Sequence, residues 1–217
     1  MDIAITSRNA SNVSILKNIS TGGTILFAPR IEFHTGTNPE GIAVGDIDGD
    51  GKPDLVTADV NLFTVSVLRN TSTSGTISFA TPVSFSSGPG TRAVVISDLD
   101  SDGKPDIAAA VENTNKVAVF RNTSSVGLIS FDPRVELSGG TRPWGIAVGD
   151  FDGDGKPDLV CPNNGSLNAS VFRNISTPGI INFSPNINLS VGEVPQKVAV
   201  TDLDGDGNLD LAITNNT

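Results

Sequence analysis

The chain has 217 residues, a formal net charge of −10 and a single cysteine, Cys161. So acidic a chain is not expected to bind nucleic acid, because contacts with phosphates require a basic surface. One cysteine cannot form a disulfide framework within the chain. No apolar run approaches the length of a membrane span, so membrane insertion is not expected, and no signal peptide is visible.

The first and last parts of the chain contain the same sequence element. Residues 2–6 read DIAIT and residues 210–214 read DLAIT, a separation of 208 residues. That separation is four periods of 52 residues. A period of this length is typical of an array of small repeated units.

The stretch from Asp46 to Asp54, DIDGDGKPD, is the most informative motif. Carboxylates occupy positions 1, 3, 5 and 9 of this nine-residue loop, and Gly51 occupies position 6. Acidic side chains this close repel one another unless a cation lies among them, and Ca²⁺ accepts about six to eight oxygen ligands. The glycine permits a sharp turn around the ion, and the carbonyl of Lys52 can serve as the position-7 ligand.

The acidic loop occurs four times, starting at residues 46, 98, 150 and 202. The four copies hold 16 of the 24 acidic residues, so four bound Ca²⁺ ions would reduce the net charge to about −2. The sequence therefore predicts about four calcium ions. The carboxylates predicted to bind them are Asp46, Asp48, Asp50, Asp54, Asp98, Asp100, Asp102, Asp106, Asp150, Asp152, Asp154, Asp158, Asp202, Asp204, Asp206 and Asp210.

Short apolar runs flank each loop, residues 41–45 before the first copy and 55–56 after it, and such a pair predicts a β-hairpin. A third run, residues 64–69, alternates apolar and polar side chains, and a fourth strand is predicted to contain residues 77–79 and 82–85. Each unit thus has four strands and no helix. The predicted fold is all-β, a β-propeller of four-stranded antiparallel blades of 52 residues with four calcium loops.

The period also sets the predicted boundaries. A partial first blade is expected at residues 2–40, repeats are expected to start near residues 41, 93 and 145, and a final partial repeat covers residues 197–217. The incomplete blades at both ends would leave unpaired strand edges, which invite pairing. We therefore expect self-association or packing against neighbouring blades.

The stretch from Gly41 to Ala58 resembles an FG-GAP repeat, the blade unit of the integrin α-subunit propeller, and the related VCBS repeat. The resemblance implies a calcium-binding propeller, commonly seven-bladed, in an extracellular or cell-surface protein that acts in binding or adhesion. It also implies position-7 carbonyl ligands, which here belong to Lys52, Lys104, Lys156 and Asn208.

Several positions depart from the FG-GAP pattern, and one position argues against the main rival motif. Ser101 replaces the position-4 glycine in the second loop, and Asn208 and Leu209 replace the Lys-Pro pair in the last. Four loops are also fewer than a seven-bladed ring would carry. The rival motif, the EF-hand, requires a glutamate at position 12, where the first loop has Thr57.

The residue before each predicted inner strand differs among the repeats, whereas the framework stays constant, as in a binding module. The resemblance places ligands on the face opposite the calcium loops, so a glycan or a protein is the expected ligand. The alternative is a purely architectural repeat segment of a large secreted or cell-surface protein. The candidate ligand-binding residues are Glu40, Arg92, Trp144 and Gln196.

Two interpretations stay open for Trp144, the only tryptophan: it could stack on a ligand, or it could fill a junction between blades. The chain also has one histidine, one cysteine and no tyrosine, so the usual nucleophiles and general bases are nearly absent. A pair of aspartates could act as glycosidase carboxylates, but the clustered aspartates are already assigned to metal. No enzymatic activity and no catalytic residue are expected.

Overall fold

The computed structural model describes residues 1–216. Within that range the fold is all-β, and 17 strands form five antiparallel sheets that follow one another along the chain. The helical elements in this range are two three-residue 3-10 turns, Arg8–Ala10 and Glu112–Thr114. No helix among the described residues is long and apolar enough to cross a membrane.

The sheets contain two to four strands each. The first sheet consists of β1 (Ile3–Ser7), β2 (Asn12–Leu16) and β3 (Ile31–His34). The second consists of β4 (Pro39–Gly45), β5 (Asp54–Asp59), β6 (Thr64–Leu68) and β7 (Val83–Ser86). The third consists of β8 (Thr91–Ser97), β9 (Asp106–Val111), β10 (Lys116–Phe120) and β11 (Val135–Ser138). The fourth consists of β12 (Ala147–Gly149), β13 (Asp158–Asn163), β14 (Asn168–Phe172) and β15 (Ile187–Ser190), and the fifth of β16 (Pro195–Thr201) and β17 (Asp210–Asn215).

Burial explains which sequence runs form the middle of each sheet. All six residues of β5, β9 and β13 are buried, because neighbouring sheets cover both of their faces. Between their polar end residues, these strands are accordingly runs of small or apolar residues, as expected for a strand buried on both sides. The last strand of each four-stranded sheet is mostly exposed.

The first strands of the second to fifth sheets lie close to one another in succession, and this proximity explains their glycines. A Cβ atom at Gly41 would lie 2.8 Å from the Cα of Ala93 on β8. A Cβ atom at Gly145, just before β12, would lie 2.4 Å from the carbonyl oxygen of Gln196 on β16. No L side chain fits at such distances, so close approach of the inner strands requires glycine at these positions.

The hydrophobic core lies between successive sheets. Val56 and Val67 of the second sheet belong to one buried cluster with Ile107 and Phe120 of the third. Phenylalanines also bridge the sheets, for example Phe33 and Phe79, whose ring centroids are 5.0 Å apart in an edge-to-face arrangement. Among residues 1–216 the row of sheets is not closed: the first sheet packs on the second and the fifth on the fourth, and the first and fifth sheets share no hydrogen-bonded strand pair.

Two strands differ from the sequence prediction. Residues 77–79 do not belong to the fourth strand, because they form the return arm of a small hairpin in which the Thr71 N–H donates to the Ser78 carbonyl at 2.9 Å. The first strand of the fourth sheet, β12, has three residues, whereas β4 and β8 have seven. Pro162 on the adjacent strand lacks an N–H group and therefore cannot continue the ladder.

Candidate metal centres and the opposite face

Each acidic loop is held in shape by its own backbone N–H groups. In the loop between β4 and β5, Asp46 accepts hydrogen bonds from the N–H groups of Gly49 and Gly51 at 2.9 and 2.8 Å. Asp54 accepts from the N–H of Ile47 at 2.9 Å and from the N–H of Asn70 at 2.7 Å. Both loop glycines have positive φ angles, so the tight turn depends on glycine there.

Three of the four predicted carboxylates in each loop lie close together. In each loop, carboxylate oxygens from three aspartates lie within 4.8 Å of one another. A set of hard oxygen ligands at this spacing fits Ca²⁺. The four sets are Asp46, Asp48 and Asp50; Asp98, Asp100 and Asp106; Asp150, Asp152 and Asp158; and Asp202, Asp204 and Asp206.

The middle two sets differ from the outer two in the aspartate that completes them, and an arginine binds each of these two loops. Arg121 donates from Nε to Asp100 at 2.7 Å and from Nη2 to Asp102 at 2.6 Å. Arg173 makes the equivalent bonds to Asp152 and Asp154 in the next loop. Arginine thus binds the carboxylates at positions 3 and 5 of these two loops, and the close sets include the position-9 aspartate instead of the position-5 one.

Burial affects the charge of the position-9 aspartates. Burial raises the pKa of Asp106 to about 7, and hydrogen bonds from the N–H groups of Asn122 and Leu99 oppose that shift. Burial also raises the pKa of Asp54 and of Asp158. A divalent cation nearby favours the ionised form of such carboxylates, so a metal bound in these loops would compete with protons.

The position-7 side chains make two kinds of contact, with a carbonyl outside the loop or with the position-5 aspartate, which Lys52 approaches to 3.5 Å at Asp50. The Lys104 ammonium donates to the Ser124 carbonyl at 2.9 Å, and Lys156 donates to the Ser176 carbonyl at 2.8 Å. The Asn208 side chain donates to Asp206 at 2.9 Å. Ligation by the carbonyls of these residues and of Lys52 stays a prediction.

Two of the acidic loops are also held by the sheet that follows them along the chain: the third sheet binds the loop of the second, and the fourth sheet binds the loop of the third. The Asn122 side chain donates to the carbonyl of Ile47 at 2.8 Å, and the Gly127 N–H donates to Asp48 at 2.8 Å. Both donors lie in the small hairpin of residues 122–131 in the third sheet. The contact recurs one repeat later, where Asn174 and Gly179 donate to Leu99 and Asp100 at 2.8 and 2.9 Å.

At the other end of the inner strands, three of the four candidate ligand-binding residues lie in one network. Arg92 forms ion pairs with Glu40 at 2.7 Å and with Glu112 at 2.5 Å, and its guanidinium lies 4.3 Å from the centroid of the Trp144 ring. Arg142 also pairs with Glu112, at 2.7 Å. The fourth candidate, Gln196, is at the start of β16.

The sequence analysis missed Glu112 and Arg142, which hold this network together. Glu112 is 3% exposed. Burial alone would raise the Glu112 pKa, but hydrogen bonds from Arg142 and Arg92 outweigh it and lower the pKa. Glu112 begins a 3-10 turn, but the equivalent 3-10 turn two periods earlier begins with Arg8, so no periodic signal identified the glutamate.

The family model that matches this chain is described as an FG-GAP-like repeat, and it matches residues 1–57, 63–109 and 98–161. The chain belongs to the FG-GAP-like repeat family. The predicted family is thus confirmed. Among curated proteins, no match was found.

Solved structures share the fold at low sequence identity. A functionally unknown protein from Desulfotomaculum acetoxidans superposes with a TM-score of 0.67 at 16% identity over 99% of this chain and 59% of the other. An Agrocybe aegerita lectin that recognises non-reducing terminal N-acetylglucosamine superposes with a TM-score of 0.58 at 21% identity over 94% of this chain and 55% of the lectin. The FG-GAP chain therefore spans little more than half the length of either relative.

Proposed function

We propose that this FG-GAP chain is a segment of a calcium-stabilised extracellular β-propeller that binds a glycan or protein on the face opposite the calcium loops. The observation that carries the proposal is that the acidic loops and the ion-pair network of Glu40 and Arg92 lie at opposite ends of the inner strands. Strand β4 has Glu40 near one end and ends just before Asp46. Seven extended residues span roughly 20 Å, so a ligand on one face would not compete with Ca²⁺ on the other.

In this proposal Ca²⁺ has a structural role. The aspartates at positions 1, 3, 5 and 9 of each loop would hold it, together with the position-7 carbonyl. The ion would neutralise carboxylates that otherwise repel one another in the turn between the first two strands of a sheet. The loops contact the next sheet, for instance through Asp48 and Gly127, so neutralisation would also stabilise the junctions between sheets.

The opposite face offers an aromatic ring and an arginine for ligand contact. Trp144 is partly exposed and Arg142 is exposed. An indole ring stacks on the apolar face of a sugar or on a peptide side chain, and a guanidinium donates hydrogen bonds to hydroxyl or carboxylate oxygens. The lectin that shares this fold recognises N-acetylglucosamine, which makes a glycan the first class of ligand to test.

A second candidate is a purely architectural role, and the ion-pair network favours it. Glu40 belongs to the second sheet, Arg92 and Glu112 to the third, and Trp144 precedes the first strand of the fourth. The contacts among them join three successive sheets, and the carboxylate of Glu112 is already paired twice. In that role Trp144 packs at a junction between sheets.

Screening the Ca²⁺-loaded chain on a glycan array and on an array of extracellular proteins tests the two roles. The binding proposal predicts a ligand whose affinity falls at least tenfold in Trp144→Ala. The control is Leu26→Ala, which shortens a side chain that is 53% exposed in the connection between β2 and β3 and should retain binding. Lack of any ligand for a folded, calcium-loaded chain would favour the architectural role.

A further inference from the structure

Two junctions between sheets show what the apolar residue at position 2 of an acidic loop does. Ile47 is 2% exposed and belongs to a buried cluster with Ile107, Phe120 and Ile129 of the next sheet. Leu99 is 1% exposed and lies in the corresponding cluster of the following junction. Both of these position-2 side chains therefore fill a recess on the sheet that follows their own loop.

The second sheet carries the same recess, and no acidic loop of residues 1–216 fills it. A cleft of about 530 Å³ opens there between the first and second sheets. The apolar residues that line it include Ile3, Ile15, Val44, Leu55, Ile77 and Phe79. Ile77 is the counterpart of Ile129 one period earlier, and Val44 is 57% exposed in the cleft.

The polar groups that hold a loop in such a recess are also in place. Asn70 and Gly75 correspond to Asn122 and Gly127, whose N–H groups bind the second sheet's loop. Within the described part of the chain, the Asn70 amide instead donates only to Pro53, in its own sheet. Asp2 accepts from the Asn18 N–H at 2.8 Å, just as Asp54 accepts from Asn70. The recess therefore has the anchors of a loop site.

The matching loop lies at the other end of the row of sheets. In the loop of residues 202–210, the Leu203 N–H donates to Asp210 at 2.9 Å, the bond that fixes position 2 in every copy. The Leu203 side chain nevertheless is 66% exposed. It is an apolar side chain in the right conformation for a recess, and no described sheet covers it.

We propose that a second copy of this chain docks its strand β16 and the loop of residues 202–209 against the first sheet, with Leu203 in the cleft. The added strand would lie beside the free edge of β1, as β4 lies beside β5. Charge is complementary, because Lys17 occupies the repeat position of Arg121 and would face Asp204 as Arg121 faces Asp100. The interface thus continues the junctions that already join the sheets.

Docking exchanges one terminal strand for another. Residues 2–7 read DIAITS and residues 210–215 read DLAITN, so β17 of the incoming copy and β1 of the receiving copy compete for the same place beside β2. The contact joins the C-terminal end of one copy to the N-terminal end of the next. Such a heterologous contact yields either a closed ring or a longer chain of copies.

Sedimentation velocity of the full chain across a concentration series in Ca²⁺ tests this interface. Association is expected in the parent and in Leu203→Ile, and the dissociation constant should rise at least tenfold in Leu203→Asp. The control is Leu62→Asp, which makes the same change at a leucine 45% exposed in a loop far along the sequence. A parent that stays monomeric at all concentrations would overturn the proposal, as would unchanged association of Leu203→Asp.

A second measurement does not depend on the strength of association. Chains carrying Leu203→Cys and chains carrying Ile77→Cys are mixed under a mild thiol oxidant, and the buried Cys161 remains out of reach. The proposal predicts a covalent pair that contains one chain of each kind. No such pair, or an equal yield when Leu62→Cys replaces Leu203→Cys, would contradict docking of Leu203 in the cleft.

Discussion

The loops of residues 98–106 and 202–210 are identical at six of nine positions but have very different surroundings. In both, the position-2 N–H donates to the position-9 aspartate at 2.9 Å, and the position-6 N–H donates to the position-1 aspartate at 2.9 Å. Leu99 is 1% exposed, however, whereas Leu203 is 66% exposed. The shape of a loop is thus set within nine residues, and its burial is supplied by the next sheet.

The comparison separates two contributions to stability. A hydrogen bond from a loop N–H to its own aspartate forms wherever the motif occurs, because both partners are a few residues apart. The apolar and polar contacts of position 2 and position 3 form only where another sheet follows. Stability of a repeat array is accordingly a sum of internal terms and terms between nearest neighbours.

The largest expected effect comes from truncating position 2 in the two loops. Leu99→Ala should lower the free energy of unfolding by about 2–5 kcal/mol, because it leaves a cavity in a packed core. Leu203→Ala should change it by less than about 0.5 kcal/mol, since the side chain is exposed. Urea denaturation of the monomeric chain measures both values, and similar losses in the two variants would break the comparison.

The next largest effect on stability is expected at Asn122, whose side chain joins the third sheet to the acidic loop of the second. Asn122 is fully buried and its amide donates to the carbonyls of Ile47 and Pro105, both at 2.8 Å. Asn122→Ala should lower the free energy of unfolding by about 1–3 kcal/mol, because two buried carbonyl groups lose their hydrogen-bond donor. Asn18, its counterpart in the first sheet, donates to no loop carbonyl within residues 1–216, so Asn18→Ala should lower the free energy of unfolding clearly less in the same denaturation experiment. Equal costs would show that the bridge to the previous loop contributes nothing.

A smaller effect should appear in metal affinity. Arg121 binds Asp100 and Asp102, so Arg121→Gln would free these carboxylates for a cation. We expect the Ca²⁺ affinity of the loop at residues 98–106 to rise by up to about tenfold, or about 1.4 kcal/mol. The loop at residues 46–54 is a built-in control, because Arg69 approaches Asp48 only to 3.9 Å. Calorimetric titration of Arg121→Gln and Arg69→Gln should show the larger gain in the former.

The smallest effect tests a buried carboxylate outside the loops. Burial raises the pKa of Asp59 above 3.8, although Ser66, Thr57 and Thr64 donate hydrogen bonds to it. Ionisation of Asp59 therefore costs folding free energy, a cost that is absent below pH 3.8 and complete above the folded-state pKa. Asp59→Asn, which mimics Asn163 one hundred and four residues later, should stabilise the chain at pH 7 but not below pH 3.8. A pH-independent difference in melting temperature would contradict this.

Sequence reasoning succeeded where the signal is local and periodic. The 52-residue spacing located the acidic loops, and the apolar runs around them located the strands of the hairpins. It failed where a feature depends on one repeat alone. Pro162 shortens β12, and Glu112 links Arg92 to Arg142, yet neither residue recurs at the period. The small hairpin of residues 70–79 was also missed, because its Ile77 and Phe79 alternate like strand residues but pack into the junction between sheets.

Calcium titration of the metal-free chain, followed by melting in Ca²⁺ and in excess chelator, tests the central claim most directly. About four ions should bind, and one fewer should bind to Asp202→Ala, whose change lies in the exposed loop. Each site adds about 2.7 kcal/mol to stability when Ca²⁺ is present at 100 times the dissociation constant, so chelator should lower the melting temperature by many degrees. No heat of binding, together with the same melting curve in chelator and in Ca²⁺, would contradict the account.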